Sequence, residues 1–211
     1  MSETLVAPVF EVLSAEAVRH SAAPAMRFVL KVTDGSGSSV AGIVLSAQVQ
    51  IDPARRRYDD ATREKLVELF GAPERWASTT RSFLWTQVAA RVQPFQGQAI
   101  FDLLVPATYD LEVAAAKYVY SLPDGEVPLS LHFSGTVFYE GGDGRLQLTM
   151  VPWSCSAKFG LPVETWRAMM AEHYPGGGWV RLETETLDLL AERKAREGLP
   201  SFDAALRSLL D

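Results

Sequence analysis

Three histidines and one cysteine are the side chains of this sequence best suited to bind a transition metal. The histidines are His20, His132 and His173, and the cysteine is Cys155. They form neither an HExxH nor a CxxC pattern, the spacings that preform a zinc site, so we predict no metal and no other cofactor. His132 is expected on the polar face of a strand, and His173 at a helix end, where an imidazolium suits the helix dipole.

Nucleophilic catalysis needs a serine or cysteine beside a base, and the sequence lacks the G-x-S-x-G turn that presents such a serine. Ser134 lies within a predicted strand, and Cys155 is expected to be an inert, partly buried thiol. Gly35 and Gly37 join one strand to the next and open no helix, so they do not form a phosphate-binding loop. The sequence therefore offers no catalytic residue, and we expect a protein that is not an enzyme.

Three carboxylates and one lysine leave an enzymatic alternative open. Asp102, Asp110 and Glu112 would support acid–base chemistry if the fold brought them together, although solvated strand edges explain them equally well. Lys117 lies among alanines, where burial would lower the pKa of its amine. A lysine that reaches solvent, or that pairs with Asp110 or Glu112, is the commoner arrangement.

Five residues are predicted as candidate partner contacts. Arg55, Arg56 and Arg57 form the densest basic patch, directly before a predicted helix. Adjacent arginines can hold a phosphate or an acidic protein partner, and a solvated loop is the alternative. Trp166 and Trp179 flank a glycine-rich loop, and such aromatic rings are favoured at protein interfaces, with packing in the core as the alternative.

Residues 179–211 resemble a ribbon-helix-helix DNA-binding domain, with a short predicted strand over 179–183 and two helices after it. Such domains read DNA through exposed, often basic strand residues of a dimer. Here the strand offers Arg181 against Glu183, and residues 161–211 contain 6 basic and 9 acidic residues. Because this balance repels phosphate, DNA binding is only a third hypothesis, and nucleic acid is not the expected partner.

Alternating apolar and polar residues predict the strands that must position these side chains. The segments with this period of two are 10–18, 25–34, 43–51, 84–92, 100–105, 129–139 and 146–150. The joins between them resemble hairpins, which favours antiparallel pairing. The predicted fold class is α+β, mainly β: an antiparallel β-sandwich or partly open barrel with an inserted helix and a C-terminal helical appendage.

The inserted helix is predicted at about 59–71, between the acidic pair Asp59 and Asp60 and a terminating Gly71. Residues 109–122 mix helix-forming alanines with strand-forming aromatics, and we predict a strand that leads into a short helix. Helical spacing replaces alternation after Trp153. We therefore predict an antiparallel β domain over 1–158 and a helical appendage over 159–211 packed on it.

Composition and charge limit the class of protein. The chain has 211 residues, 47% hydrophobic and 22% charged, as in ordinary soluble globular domains. Its 20 Lys and Arg against 26 Asp and Glu give a net charge of −6, which disfavours nucleic acid and anionic membranes as partners. We find no signal-peptide pattern and no stretch of about 18 apolar residues, and a single cysteine cannot form an internal disulfide. These features predict a cytoplasmic protein without a membrane partner.

Several short phrases, taken in order, resemble an uncharacterised bacterial family. They are Arg55-Arg-Arg-Tyr58, Phe70-Gly-x-x-Glu-Arg-Trp76, Leu84-Trp85, Tyr109-Asp110 with Ala114-Ala-Ala-Lys-Tyr118, Phe133-Ser-Gly-Thr-Val-Phe138, Val151-Pro-Trp153 and Trp166 through Tyr174-Pro-Gly176. The family is a domain of unknown function often encoded among nickel–iron hydrogenase genes. It has no established activity, so the resemblance assigns no catalytic residue. It implies a cytoplasmic accessory to hydrogenase assembly, maturation or regulation, with hydrogenase or its maturation factors as partners.

The leading prediction is a non-enzymatic accessory or interaction protein. The alternative is a small-molecule-binding or hydrolytic β-sandwich that uses an unrecognised carboxylate or histidine site. A concave pocket with converging polar groups would favour the alternative, whereas an exposed apolar or aromatic patch would favour an interaction protein.

Overall fold

The structure, a computed structural model, describes residues 7–108, 110–111 and 113–210. Its strands, in chain order, are β1 (Val9–Ala17), β2 (Ala25–Thr33), β3 (Ser39–Ile51), β4 (Phe83–Val92), β5 (Phe95–Gln96), β6 (Gln98–Pro106), β7 (Glu126–Glu140), β8 (Leu146–Met150) and β9 (Ser156–Pro162). One sheet has the order β1-β2-β6. The other has the order β4-β3-β7-β8, with β5 paired to β3 and β9 paired to β7. All of these pairs are antiparallel, as predicted.

The hydrophobic core lies between the two sheets. The inward side of β2, from Met26 to Val32, is completely buried, and so are most inward side chains of β3. Rings from both sheets meet there: Phe10 stacks on Phe133 with centroids 4.3 Å apart, and Phe28 meets Phe159 edge-on at 5.9 Å. The sheets do not close on each other, so the prediction of a sandwich or partly open barrel is confirmed.

Strand β4 departs from simple alternation. The sequence places Leu84 on the same face as Val88, but Leu84 is exposed and Trp85 points inward, edge-on to Trp166 at 5.6 Å. The cause is a register shift opposite Val49 and Gln50, which inserts one extra residue and changes which face each side chain occupies.

Gly135 permits the close approach of β7 to β3. Its φ is 146°, and a Cβ at this position would collide with the carbonyl oxygen of Val44. A side chain here would therefore force the two central strands of the larger sheet apart.

The helices are α1 (Asp60–Phe70), α2 (Trp76–Thr79), α3 (Ala114–Ser121), α4 (Val163–His173), α5 (Thr184–Glu197) and α6 (Phe202–Leu210), with 3₁₀ turns at Pro53–Arg55 and Pro73–Arg75. Helix α1 is the predicted inserted helix, and the Asp59 carboxylate accepts a hydrogen bond from the Thr62 amide at its start. Helix α3 is the short helix predicted within 109–122. Two residues of the strand predicted before it, Tyr109 and Glu112, lie outside the described residues.

Strand β9 follows Trp153, where the sequence predicts the change from strands to the helical appendage. Strand β9 pairs with the first half of β7, from His132 back to Glu126, and it runs directly into α4. The chain forms two compact units, 1–178 and 179–211, so the predicted boundary at 158/159 falls inside a strand of the first unit. Ala157, Phe159 and Leu161 alternate in β9, but Gly160 and Pro162 are typical of turns and conceal the strand pattern.

The second unit contains α5 and α6, which Gly198 and the following residues connect in a left-handed turn. The short strand predicted over 179–183 does not form: in this fully described segment only Trp179 makes an isolated bridge, and α5 begins at Thr184. Ser201 caps α6, since its hydroxyl accepts from the Ala204 amide at 3.0 Å. Among the helices that the structure describes, none is long and apolar enough to cross a membrane.

Candidate functional site

The predicted basic patch lies in a loop between β3 and α1, here called the arginine loop (Pro53–Tyr58). Pro53 opens a 3₁₀ turn in which the amides of Arg55 and Arg56 donate to the carbonyls of Asp52 and Pro53 at 3.0 and 3.2 Å. Pro53 itself is buried, and the Asp52 amide donates to Pro128 at 2.9 Å. The backbone of the arginine loop is thus fixed against the start of β7.

Arg55 is committed to the scaffold. Its Nη1 donates to the carbonyl oxygen of Leu129 at 3.1 Å and to the Asp52 carboxylate at 3.3 Å. Desolvation opposes ionisation of Asp52, but hydrogen bonds from Ser130, Ser82 and Arg55 outweigh it and lower the pKa of this carboxyl below its usual value. Asp52 therefore stays charged and holds the base of the arginine loop.

Arg56 is also committed, and its side chain is only 15% exposed. Its Nη1 donates to the Glu126 carbonyl at 2.8 Å, and Nη2 lies 3.5 Å from the exposed Asp124 carboxylate. Its Nε is buried without an acceptor among the described residues. Gly125 passes so close that a Cβ would lie 3.0 Å from Nη1, and its φ of 67° favours glycine. Arg56 is therefore largely buried, because the turn before β7 folds over its guanidinium.

Arg57 differs from Arg55 and Arg56 because its side chain is not bound to the fold. Its side chain is exposed and has no hydrogen bond or ion pair with any residue in the described ranges. Arg56 and Arg57 together separate two open hollows of about 370 and 540 Å³. The smaller hollow includes Glu126, and the larger one includes Arg63 and Trp76. Arg57 is therefore free to bind a group in either hollow.

Tyr58 supports the arginine loop from the core side. Its hydroxyl donates to the Pro53 carbonyl at 2.7 Å and lies 2.7 Å from the Tyr118 hydroxyl, which must then be the donor to Tyr58. Burial raises the pKa of both phenols, so both stay neutral. The Tyr58 ring packs edge-on against Trp76, with centroids 5.5 Å apart, and the Trp76 indole donates to Gly71 at 2.8 Å. These contacts fix one wall of the larger hollow.

The larger hollow combines positive charge with aromatic surface. In the part of the chain that the structure describes, the Arg63 side chain pairs with Asp60 alone, at 3.2 Å, in an exposed pair within one helical turn. Such pairs contribute little to stability, so Arg63 can exchange this partner for another anion. Arg57 and Arg63 can thus bind carboxylates or phosphates, while Tyr58 and Trp76 contact apolar parts of the same ligand. The sequence indicates the arginines but gives no spacing signal for Tyr118, which lies in a distant segment.

The two tryptophans predicted as partner contacts have different surroundings. Trp166 is 2% exposed, and its indole nitrogen has no acceptor among the described residues. A ring buried in this way cannot contact a partner, so Trp166 belongs to the core and the interface prediction for it is withdrawn. Trp179 is 60% exposed in the second unit, so partner contact remains a prediction there.

The histidines and the cysteine lie where structural roles were expected. His132 is exposed on β7. His173 ends α4, where its Nδ1 lies 3.0 Å from the Met169 carbonyl and its Nε2 lies 3.2 Å from the Ser21 hydroxyl. Cys155 donates to the Pro8 carbonyl at 3.2 Å, and burial raises the pKa of its thiol. Within the described ranges, no three His, Cys, Asp or Glu side chains form a group that could hold a metal ion.

Two of the candidate acid–base groups form ion pairs. Asp102 lies 3.6 Å from Arg27, which also binds Glu16, and these three residues line an open hollow of about 650 Å³ on the smaller sheet. Lys117 pairs with Glu68 of α1, a partner that sequence spacing did not indicate. The Asp110 amide donates to the Thr108 hydroxyl at 3.1 Å. Glu112 lies outside the described residues.

An apolar stripe lies along β8. Leu146, Leu148 and Met150 alternate on one face and are 63–67% exposed, and Trp153 just beyond them is 92% exposed. This hairpin was predicted, but its apolar residues were not expected to face outward. Exposed apolar residues that are continuous along a strand are typical of surfaces that contact other proteins.

The fold and the arginine loop define a two-sheet antiparallel β protein that carries a basic, aromatic-walled surface on its inserted segment. The chain belongs to the family of unknown function DUF6084, whose model matches residues 5–211. No protein with a curated description matches the chain. A protein from Bordetella pertussis assigned as ApaA shares 10% identity at a TM-score of 0.31, over 74% of this chain and 93% of its own. A β-glucosidase from Kluyveromyces marxianus shares 6% identity at a TM-score of 0.28, over 74% and 15% respectively.

Proposed function

We propose that the protein is a non-enzymatic accessory protein that binds an acidic segment of a protein partner at the arginine loop. The observation that carries the proposal is that three adjacent arginines differ in their contacts. Arg55 and Arg56 are bound to carbonyls of β7, whereas Arg57 is exposed without a partner among the described residues. Because the backbone of the arginine loop is already fixed, the binding of an anion at Arg57 has to order only this side chain and not the loop.

The open form of the site supports a protein segment as the ligand. Small-molecule sites enclose most of their ligand, whereas the two hollows are shallow and lie on either side of Arg57. A peptide can cross the ridge between them, with a carboxylate on Arg57 and another on Arg63. The aromatic wall formed by Tyr58 and Trp76 would contact apolar residues of the same segment.

The apolar stripe on β8 agrees with an interaction protein, since an exposed patch of this kind favours protein contact over catalysis. The hollow beside Asp102 does not make a second candidate, because its carboxylates are paired with Arg27. For the partner we propose nickel–iron hydrogenase or one of its maturation factors, acting in the cytoplasm. This finer proposal is supported by the resemblance described above and by no contact in the structure.

A fluorescein-labelled glutamate-rich peptide provides a defined probe of the arginine loop. Fluorescence anisotropy should detect binding at 50 mM NaCl that weakens at 300 mM, because exposed charges are screened over about 10 Å or less. The double variant Arg57→Ala/Arg63→Ala should bind roughly tenfold more weakly, which corresponds to about 1.4 kcal/mol for two exposed charge contacts.

Arg91→Ala is the matched control, because Arg91 is an exposed arginine on β4. It changes the net charge by one unit without touching the arginine loop. Equal weakening by Arg91→Ala and by Arg57→Ala would mean that only net charge attracts the peptide, and it would reject the arginine loop as a site. A glutamine-rich peptide of the same length should not bind.

A further inference from the structure

The second unit, residues 179–211, leaves most of its apolar residues uncovered. Apolar residues recur at helical spacing on both helices and form one apolar face on each. The face of α5 contains Leu187, Leu190 and Ala191, and the face of α6 contains Phe202, Ala205, Leu206 and Leu209. Only Leu190 and Ala205 are buried. One residue of each apolar face is therefore buried, and the other residues of both faces are exposed.

This unit is also short. Sequences below about 40 residues seldom bury enough apolar surface to fold without a disulfide, a metal or another chain. The exposed members of the two faces are Leu187 (44%), Phe202 (44%), Leu206 (42%), Leu209 (55%) and Leu210 (86%). At roughly 150–200 Å² for each complete side chain, they leave on the order of 500 Å² of apolar surface per copy. That is more than half of the roughly 800 Å² that each partner buries in a standard interface.

Helix α5 carries opposite charges at its two ends. The acidic residues Glu185, Asp188 and Glu192 precede the basic residues Arg193, Lys194 and Arg196. Glu197 ends the helix and pairs with Arg193 and Arg196, and the last turns keep a net positive charge. Two copies of α5 in antiparallel orientation place the acidic part of each helix beside the basic part of the other. They also oppose their helix dipoles, whereas a parallel pair would bring like charges together.

We propose that two copies of the chain associate through α5 and α6, with the two α5 helices antiparallel about a two-fold axis. The result is a four-helix arrangement that covers Leu187 and the apolar face of α6. The interface is isologous, so a contact between one residue and a second residue of the other copy occurs twice, once on each side of the axis. This inference does not depend on the arginine loop.

Sedimentation velocity of the full chain tests the association. At about 50 µM the wild-type protein should sediment as a dimer, and Leu206→Glu should shift it to a monomer. Leu148→Glu, an equally drastic change at an exposed leucine of β8, should leave the dimer unchanged. A monomeric wild type, or a dimer that Leu148→Glu dissociates and Leu206→Glu does not, would overturn the proposal.

Charge exchange tests the pairing of α5 with α5 independently of the leucine variants. One variant, Glu185→Lys/Asp188→Lys, makes all of α5 predominantly basic, and the other, Lys194→Glu/Arg196→Glu, makes it acidic. Each should be mainly monomeric alone, because both ends of its α5 repel the second copy. An equimolar mixture should recover a heterodimer, with at least a tenfold gain in association over either variant. A mixture that stays monomeric would contradict the antiparallel pairing.

Discussion

Replacement of Arg56 by alanine is predicted to destabilise the fold, although this residue lies in a surface loop between two other arginines. The change removes the charge-assisted hydrogen bond from Nη1 to the Glu126 carbonyl, a class of bond worth about 1.5–3 kcal/mol. It also removes a side-chain stem that is mostly buried, at about 0.8 kcal/mol for each CH₂. The bond to Asp124 adds little, because that carboxylate is 85% exposed.

One contribution acts in the opposite direction. The buried Nε of Arg56 has no acceptor among the described residues. Its removal therefore stabilises the variant by about 1–3 kcal/mol, the cost of keeping this group away from water. The net loss expected for Arg56→Ala is therefore about 2 kcal/mol. For a chain of this length the melting temperature should fall by roughly 4–8 °C.

Thermal and urea unfolding followed by circular dichroism measure this effect. Arg57→Ala should stay within about 0.5 kcal/mol of wild type, because its side chain is exposed. Arg56→Met keeps the stem and removes the donors, so it should lie between the two. If Arg56→Ala were as mild as Arg57→Ala, the anchoring of the arginine loop through Arg56 would be refuted.

Three further predictions concern the support of the arginine loop and the thiol. Tyr58→Phe should destabilise the fold by about 1–3 kcal/mol, because it leaves the Tyr118 hydroxyl without an acceptor, whereas Tyr118→Phe should destabilise it by about 0.5–1.5 kcal/mol. Equal losses in urea titrations would contradict the assignment of Tyr118 as the donor to Tyr58. The lowered pKa of Asp52 contributes stability that is present above about pH 4 and is lost as the pH falls through the pKa of the folded state. The Asp52→Asn variant should therefore lose less stability than the wild type between pH 5 and pH 3. Parallel profiles of stability against pH for the two proteins would argue against this role of Asp52. Because burial raises the pKa of Cys155, iodoacetamide should alkylate it at pH 8 more slowly than free cysteine, and alkylation at the free rate would show the thiol to be open.

Local periodicity predicted the elements that follow regular spacing. The buried side of β2 and the position of α1 both follow from residue patterns that span at least two turns or several alternations. Strand β4 breaks the pattern because its bulge depends on the register with β3, which no spacing within β4 records. Strand β9 is short, and its pairing with β7 is a contact between distant segments.

The candidate site was predictable in composition but not in geometry. Three adjacent arginines indicate a basic loop, yet their separate roles depend on the carbonyls of Leu129 and Glu126, which lie 74 and 70 positions after Arg55 and Arg56 respectively. The same applies to Trp166, whose burial is decided by its packing against Trp85 rather than by its own helix. Tertiary contacts of this kind override what residue type alone favours.

Site-specific photo-crosslinking in native cells tests the proposed function most directly. A benzoylphenylalanine residue placed at position 77, an exposed alanine of the larger hollow, leaves Arg57 and Arg63 in place and should yield a crosslinked protein. Mass spectrometry should locate the adduct in an acidic segment of a hydrogenase or hydrogenase maturation protein. The same photoreactive residue at position 91, on the exposed side of β4, serves as the reference. The proposed function predicts an adduct at position 77 that position 91 does not give. Equal yields at the two positions, or an adduct in a segment without acidic residues, would contradict an acidic protein partner at the arginine loop.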